Sequence, residues 1–463
     1  MKVILVRPPD TALGEFKKIG GVQHPLNLVY LATFVSGADI EVEIIDMELE
    51  PAEIFNLKRK NPDVVGITAM TPAMPSAADI SEIAKDFGAM VILGGVHPTV
   101  LPEESLNETS SDIVVRGEGE ITLKSVLARL GDDSNLKGVK GISYKNEEGI
   151  FHNGPRDCIK DIDTLPIPDR TFLKHEEYRG ESSPGIPKKS TVMFTSRGCP
   201  HGCTFCSARL VQGRRYRMRS TENLLKEIES IERLGFEHIT IEDDAFTLSK
   251  RRVLKFCDAM KKYPGITFDC DTRVDSVDRE MLVAMKKAGF IKIAYGVESG
   301  SAKILKDIKK GITIKQVKDA FRMTKDVGIK TEAFIMVGHL SETREDFEMT
   351  ERLIKKIDPQ MIVVSVVTPY PGTELYETYK KRGYLKKDVK WDEFVLFSQE
   401  APFRTDNFSG REVIKMRDQL LRKFYVNPSY VAKRLMDIRS YDDFKYYVKS
   451  GLTVLKFIRT EGG

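Results

Sequence analysis

The sequence predicts an α/β protein in three parts: an N-terminal doubly wound parallel sheet, an open partial (β/α)6 barrel, and a small helical C-terminal domain. Three observations predict it. Short β-rich apolar runs alternate with helical patterns through residues 1–150. A second alternation, of six strand–helix units, starts at Thr191. The last ~75 residues then lose that alternation for helical segments rich in Tyr and Phe.

In the first part the strands are Val3–Val6, Val42–Ile45, Val64–Thr68, Met90–Leu93 and Ile113–Arg116, with helices such as Leu26–Val35, Ala77–Phe87 and Ile121–Leu130 between them. Such alternation packs as a parallel sheet with helices on both faces. Asp112 and the turn Gly117–Glu120 bracket the last strand, and SYKNEEG after it predicts a hairpin. Residues 151–185 carry Pro, Gly and charge without a sustained period, which predicts an extended connection draped over a surface. Residues 186–385 hold the strands 191–196, 238–244, 266–273, 292–299, 330–338 and 361–369, with helices such as Thr221–Leu234, Arg279–Ala288 and Thr343–Ile357. Six units are fewer than the eight of a closed barrel, so the barrel is open, with ligands expected at the C-terminal ends of its strands. Residues 386–463, which include the single Trp391, form the helical domain.

At 41% hydrophobic and 30% charged, the composition is that of a globular protein with real cores. Lys and Arg number 72 against 68 Asp and Glu, which implies no nucleic-acid partner. The imbalance is local: 13 Lys/Arg against 7 Asp/Glu from Arg404 onward leave the rest of the chain at −2. The apolar run in MKVILVRPPD is too short for a signal peptide, and no stretch reaches the ~18–20 apolar residues of a membrane span. A cytoplasmic protein is expected, with its six cysteines as thiols or metal ligands.

Three of those cysteines lie in TSRGCPHGCTFCSA, a CxxxCxxC directly after an apolar strand: Cys199, Cys203 and Cys206. Three thiolates on one tight loop can bind three irons of a [4Fe–4S] cubane and leave the fourth iron open. An electron-transfer cluster usually has four protein ligands. Gly198 and Gly202 let the backbone wrap around the sulfurs. The competing readings are a structural zinc loop or chance thiols. Zinc would want a fourth ligand, and His201 is cramped inside the loop. Cys158, Cys257 and Cys270 stand singly and read as buried thiols.

The loop matches the CxxxCxφC signature of radical SAM enzymes, with Phe205 at the position that packs by the adenine of S-adenosylmethionine (SAM) in that family. Later strand ends continue the resemblance. EDDAF (242–246) is similar to the acidic segment that receives the SAM ammonium, which makes Glu242 and Asp243 candidates. Arg273 resembles the arginine near the SAM carboxylate, and Glu298 and Ser299 in GVESG resemble the ribose contacts. TPYPGTELY (368–376) matches one large subgroup, whereas MVGHLSET (336–343) departs from its Gly-hydrophobic-Pro-Gly-Glu-Thr. That departure makes His339 and Ser341 either substrate-side changes or neutral loop variation.

The first domain has no GxGxxG after its first strand, which lowers a dinucleotide reading. Its strand ends RPPD (7–10), GITAMTPAM (66–74), LGGVHPTVLPEE (93–104) and VRGEGE (115–120) resemble the Rossmann-like cobalamin-binding domain that precedes the radical SAM domain in that subgroup. The resemblance implies Pro8, Pro9, Thr68, Thr71, Gly94, Gly95, His97, Gly117 and Glu118 as cobalamin-side residues. The small Gly94 and Gly95 give room for the nucleotide tail, which His97 borders. Where many cobalamin proteins carry DxHxxG, the loop here runs from Asp10 to Gly14 without His, so no lower cobalt ligand is assigned.

The resemblance implies three cofactors (a [4Fe–4S] cluster, SAM and cobalamin) and a methyltransferase of the class B type. In that chemistry a 5′-deoxyadenosyl radical removes hydrogen from an unactivated carbon, which takes methyl from methylcobalamin. No general base is required. The substrate is a small molecule, a lipid or a protein or peptide side chain, and the electron comes from an external flavodoxin- or ferredoxin-type donor. The competing enzymatic reading is a cobalamin-dependent radical SAM oxidoreductase or cyclase. A methylthiotransferase is disfavoured because residues 1–150 contain no cysteine, and a non-catalytic cobalamin sensor is disfavoured by the SAM-side residues. The basic, aromatic C-terminal segments either meet a membrane surface or, as the favoured reading, pack across the barrel and turn their charges to water.

Overall fold

In the computed structural model the described residues are 1–9, 22–132, 135–174, 176, 178, 189–395, 401–438 and 440–459. The loop from Asp10 to Gly14 lies outside them, as do residues 179–188. The first sheet has the order β2-β1-β3-β4-β5-β6-β7. Its parallel strands are β1 (Lys2–Arg7), β2 (Glu41–Asp46), β3 (Val64–Thr68), β4 (Met90–Gly94) and β5 (Ile113–Val115). The expected hairpin, β6 (Ile142–Asn146) and β7 (Gly149–His152), extends it antiparallel at the β5 edge.

The strands are apolar on both sides because both faces are covered. Val3, Leu5, Ile92 and Ile113 pack under helices Leu26–Val35 and Glu120–Gly131. Ile4, Val6, Val65, Val91 and Val114 pack under helix Met74–Lys85.

The second sheet, β15-β14-β13-β12-β11-β8, is parallel throughout and forms the six-stranded open barrel. Its strands are β8 (Ser190–Met193), β11 (His238–Ile241), β12 (Thr267–Thr272), β13 (Phe290–Glu298), β14 (Lys330–Val337) and β15 (Met361–Val366). Alternate residues point outward to the helices: Phe268, Cys270, Ile293 and Tyr295 join the core beneath helices 250–260 and 314–326. Within it the rings of Phe246, Phe256, Phe268 and Phe290 meet at centroid distances of 5.2–6.3 Å. Each such pair adds about 0.5–1.5 kcal/mol beyond area burial.

The connection between the sheets is less superficial than the sequence suggests. Ile159, Ile162, Leu165, Leu173 and Tyr178 are buried in the first domain's core together with Val192 of β8. Two short 3-10 turns, capped by Asp161 and Asp169, replace a longer period. Arg170 is 1% exposed and reaches Glu227 of the barrel helix Thr221–Arg233 at 2.6 Å. Glu227 also pairs with Arg219, whose guanidinium donates to Tyr30 of the first domain at 3.1 Å.

At the C-terminus, Ser409 and Glu412 cap helix Gly410–Tyr425, which buries Val413, Met416, Leu420 and Leu421 against the barrel core beside β15 and β14. The two following helices, Pro428–Met436 and Tyr441–Arg459, depart from the expectation that only charges meet water: Leu435, Met436, Tyr441, Phe444 and Leu452 are exposed as well. Among the described residues no helix is long and apolar enough to cross a membrane.

Candidate active site

β8 leads into a two-residue strand, β9 (Ser196–Arg197), that pairs antiparallel with β10 (Arg217–Met218). The cysteine loop follows and ends in the short helix Ala208–Gln212. Gly198 stands at φ 86°, and a Cβ there would lie 2.4 Å from the Arg215 carbonyl oxygen, so only glycine fits. Cys199, Cys203 and Cys206 are neighbours: Cys203 bears on the thiols of both Cys199 and Cys206, and Cys199 on that of Cys206. Burial pushes the Cys206 thiol up to about 11 and raises that of Cys199. Iron ligation supplies the positive charge that reverses this and deprotonates a thiol. Among the described residues no three His, Cys, Asp or Glu side chains converge on one metal-ion position. Three adjacent thiols without a fourth protein donor are the donor set of a cubane with one open iron.

The acidic segment after β11 divides its labour differently from the expectation. The Asp243 carboxylate accepts from the backbone N–H groups of Thr195 (2.6 Å) and Ser196 (3.0 Å) and from both their hydroxyls, and pairs with Arg252 at 3.3 Å. It is 3% exposed, with no lone pair left for an ammonium group. Asp243 pins the strand that enters the cysteine loop. Its neighbour Asp244 is the exposed acid whose charge reaches Cys199 and Cys206.

Arg273, after β12, is fixed by Asp275 (2.9 and 2.8 Å) and the Lys310 carbonyl oxygen (2.7 Å), and lies close enough to Cys199 to lower its thiol. Glu298 ends β13 at φ 64°, a region that costs a non-glycine residue about 1–3 kcal/mol. The 2.6 Å ion pair with Lys310 holds it there. Ser299 turns away from the mouth: it is fully buried, 3.3 Å from the Thr350 hydroxyl, and accepts from the Ser301 N–H. Phe205 is half-buried against the barrel core. His339 is buried and held neutral, its imidazole pushed down to about 4 by burial, whereas the Ser341 hydroxyl donates to Asp307 on the surface.

Apart from Glu242, the inward side chains of the barrel that follow were not singled out from sequence. Lys292 bridges Asp269 (3.1 Å) and Glu332 (3.0 Å), and His238 meets Asp269 at 3.2 Å. Nearer the strand ends stand half-buried Glu242 and Asp271, whose side chain is open to solvent at the mouth; desolvation and neighbouring carboxylates raise both, and Lys292 opposes the rise at Asp271. The signal was present in ITFDCDTR, where polar and apolar residues alternate with the period of a strand. Arg7 of the first domain reaches toward Glu242 and lowers it slightly.

The opposing wall is the C-terminal edge of the first sheet. Pro8 is buried and Pro9 half-buried beyond β1. Thr68 is half-exposed and accepts from Asn27 at 3.3 Å. Gly95 (φ 111°) is pressed on Ala69, while a Cβ on Gly94 would find its nearest atom 3.9 Å away. His97 is 1% exposed, its Nδ1 3.2 Å from the Thr71 hydroxyl and its Nε2 without a partner among the described residues. The Trp391 ring meets it edge-on at 4.7 Å. Gly117 (φ 77°) donates to Thr99. An open glycine step and an orphaned buried imidazole nitrogen at this edge fit a bound cofactor.

Glu118, expected beside cobalamin, is instead committed to the joint between domains. It pairs with Arg217 (2.9 Å) and Arg197 (3.2 Å) and accepts from the Ile159 N–H. Helix Val96–Val100 packs on helix Ala208–Gln212, so the sheet edge and the cysteine loop face one another.

The two halves match two family models in turn: the B12 binding domain over residues 16–127 and the Radical SAM superfamily over residues 193–354. An uncharacterized methyltransferase of Pyrococcus horikoshii is 34% identical over 94% of this chain and 95% of its own length. The anaerobic magnesium-protoporphyrin IX monomethyl ester cyclase of Rubrivivax gelatinosus is 30% identical over 93% of this chain and 78% of its own. The cobalamin-dependent SAM radical enzyme OxsB, solved with aqua-cobalamin and SAM bound, shares the fold: TM-score 0.75 at 20% identity, over 99% of this chain and 71% of that one. This chain belongs to the radical SAM enzymes that carry a cobalamin-binding domain. Its cofactors are a [4Fe–4S] cluster, SAM and cobalamin, and among the activities of its relatives methyl transfer is the one that the comparisons support.

Proposed function

We propose that this protein methylates an unactivated carbon of a small-molecule, lipid or peptide substrate held between the barrel mouth and the first sheet. The observation that carries the reading is the apposition of the cysteine loop and the cobalamin-side sheet edge through helices 208–212 and 96–100. When bound, the cluster and SAM supply a 5′-deoxyadenosyl radical for hydrogen abstraction, and cobalamin supplies the methyl group.

The protein's own residues bind and orient. Cys199, Cys203 and Cys206 hold the cluster. Glu242, with Asp244 in place of Asp243, receives the SAM ammonium; Arg273 faces its carboxylate; Glu298 and Phe205 flank the nucleoside. Thr68, Gly94, Gly95 and His97 border cobalamin. The Lys292 network closes the barrel beneath the substrate. The division into residues 1–150, 151–185, 186–385 and 386–463 is supported by the two separate sheets. A reducing, cytoplasmic setting agrees with six free cysteines.

The test is anaerobic reconstitution with iron, sulfide and cobalamin, followed by mass spectrometry of candidate substrates with CD3-labelled SAM. Transfer of the labelled methyl group to carbon is the expected result. The cyclase of Rubrivivax gelatinosus motivates a second reading, for which the product would lose hydrogens and carry no label.

A further inference from the structure

Behind the cysteine loop lies a cleft of about 360 Å³ that neither the SAM side nor the cobalamin side uses. Its walls carry Lys160, Arg214 and Arg215, all exposed, against a single carboxylate, Asp157. Among the described residues none of these three cations has an ion-pair partner, unlike Arg217 in the same cleft, which Glu118 neutralises. Unpaired cations on a concave surface are costly to hold together and are relieved by an acidic partner.

The cleft touches the loop through its floor. Gln212 accepts from the Gly198 N–H at 2.9 Å, and the Arg215 carbonyl lies against the Gly198 Cα. Gly198 is the residue before Cys199, so a protein seated in this cleft stands a few covalent bonds from a cluster ligand. The charged groups that reach the Cys199 and Cys206 thiols are Asp244 and Arg273.

We propose that this cleft is the docking site of a small, acidic one-electron carrier protein, seated by Lys160, Arg214 and Arg215. Each docking passes one electron from the carrier's reduced centre to the cluster; the carrier leaves oxidised by one electron and no proton moves. The proposal rests on the cluster assignment above.

Its test compares two reductants on the reconstituted holoenzyme, with 5′-deoxyadenosine formation from SAM as the readout. With reduced flavodoxin, the double variant Arg214→Glu/Arg215→Glu is expected to lose at least about tenfold in kcat/KM at low salt and to lose the salt dependence of the wild type. With dithionite, which needs no docking, wild type and variant are expected to match. Equal flavodoxin-driven rates in both proteins would overturn the proposal. If the double variant also fails with dithionite, Lys160→Glu, away from the loop, decides: an unchanged flavodoxin-driven rate there overturns docking. A wild type that forms no 5′-deoxyadenosine even with dithionite would refute the radical SAM reading, and docking with it.

Discussion

Glu227 is the residue whose loss should cost this fold most per atom removed. Its carboxylate is fully buried between Arg170 of the interdomain connection and Arg219 beside β10, themselves 1% and 5% exposed. Burial alone would raise its carboxyl, but the two guanidinium groups overcome that and hold it below the ordinary carboxylate range. Glu227→Ala leaves two buried cations facing each other, each hydrogen-bonded only to neutral partners: Thr191 and the Val192 carbonyl for Arg170, Asn223, the Tyr30 hydroxyl and the Phe194 carbonyl for Arg219. Breaking a buried pair in this way costs about 3–5 kcal/mol. At about 2–4 °C per kcal/mol for domains of 150–250 residues, the unfolding midpoint should fall by about 6–20 °C. Arg170→Ala should cost less, because Glu227 keeps Arg219. The assay is anaerobic thermal unfolding of the apoprotein followed by circular dichroism. The pair's stabilisation is present above the unfolded-state value of about 4.3 and is lost as pH falls through the lowered folded-state value, so the gap between variant and wild type should narrow on acidification. A loss under ~1 kcal/mol at pH 7 would refute the reasoning.

Asp271 gives the opposite pH dependence. Its carboxyl is raised above an unfolded value of about 3.9, by less than full burial would give because its side chain is open to solvent, so the folded protein holds the extra proton above that value and stability declines as pH rises through the folded-state value. Asp271→Asn should therefore gain in melting temperature over the wild type from pH 5 to pH 8; a constant difference would count against it. At the first sheet's edge, a Cβ on Gly95 would lie 2.4 Å from the Ala69 carbonyl oxygen, whereas one on Gly94 meets nothing nearer than the Val115 carbonyl oxygen at 3.9 Å. Gly95→Ala should lower stability by at least about 1–3 kcal/mol. Gly94→Leu should fold normally yet release cobalamin on gel filtration, and full cobalamin retention would remove Gly94 from the site.

Much of the architecture was readable from the chain because each sheet repeats one simple pattern. Helix Leu26–Val35 and the six barrel strands stand where apolar period and spacing put them. The cysteine loop was equally legible, since its chemistry lies in consecutive residues. What escaped depended on neighbours distant in sequence. Whether Asp243 or Asp244 faces the mouth is decided by Thr195 and Ser196 of an adjacent strand. Glu118 reads as a strand-end acid until Arg197 and Arg217 arrive from the other domain. Residues 151–185 read as a surface tether because short 3-10 turns leave no period, though Ile159, Ile162 and Leu165 are core.

The joint at Glu118 has a geometric consequence. Arg197, one of its two cationic partners, stands two residues ahead of Cys199, and Glu118 itself follows the strand edge assigned to cobalamin. Glu118, together with Glu120, which holds Arg197 at 2.6 Å, thus acts as a gauge block between the two cofactor seats. Because this clamp lies two residues from a cluster ligand, it fixes the spacing of the two seats over a few ångströms, next to the cysteine loop itself.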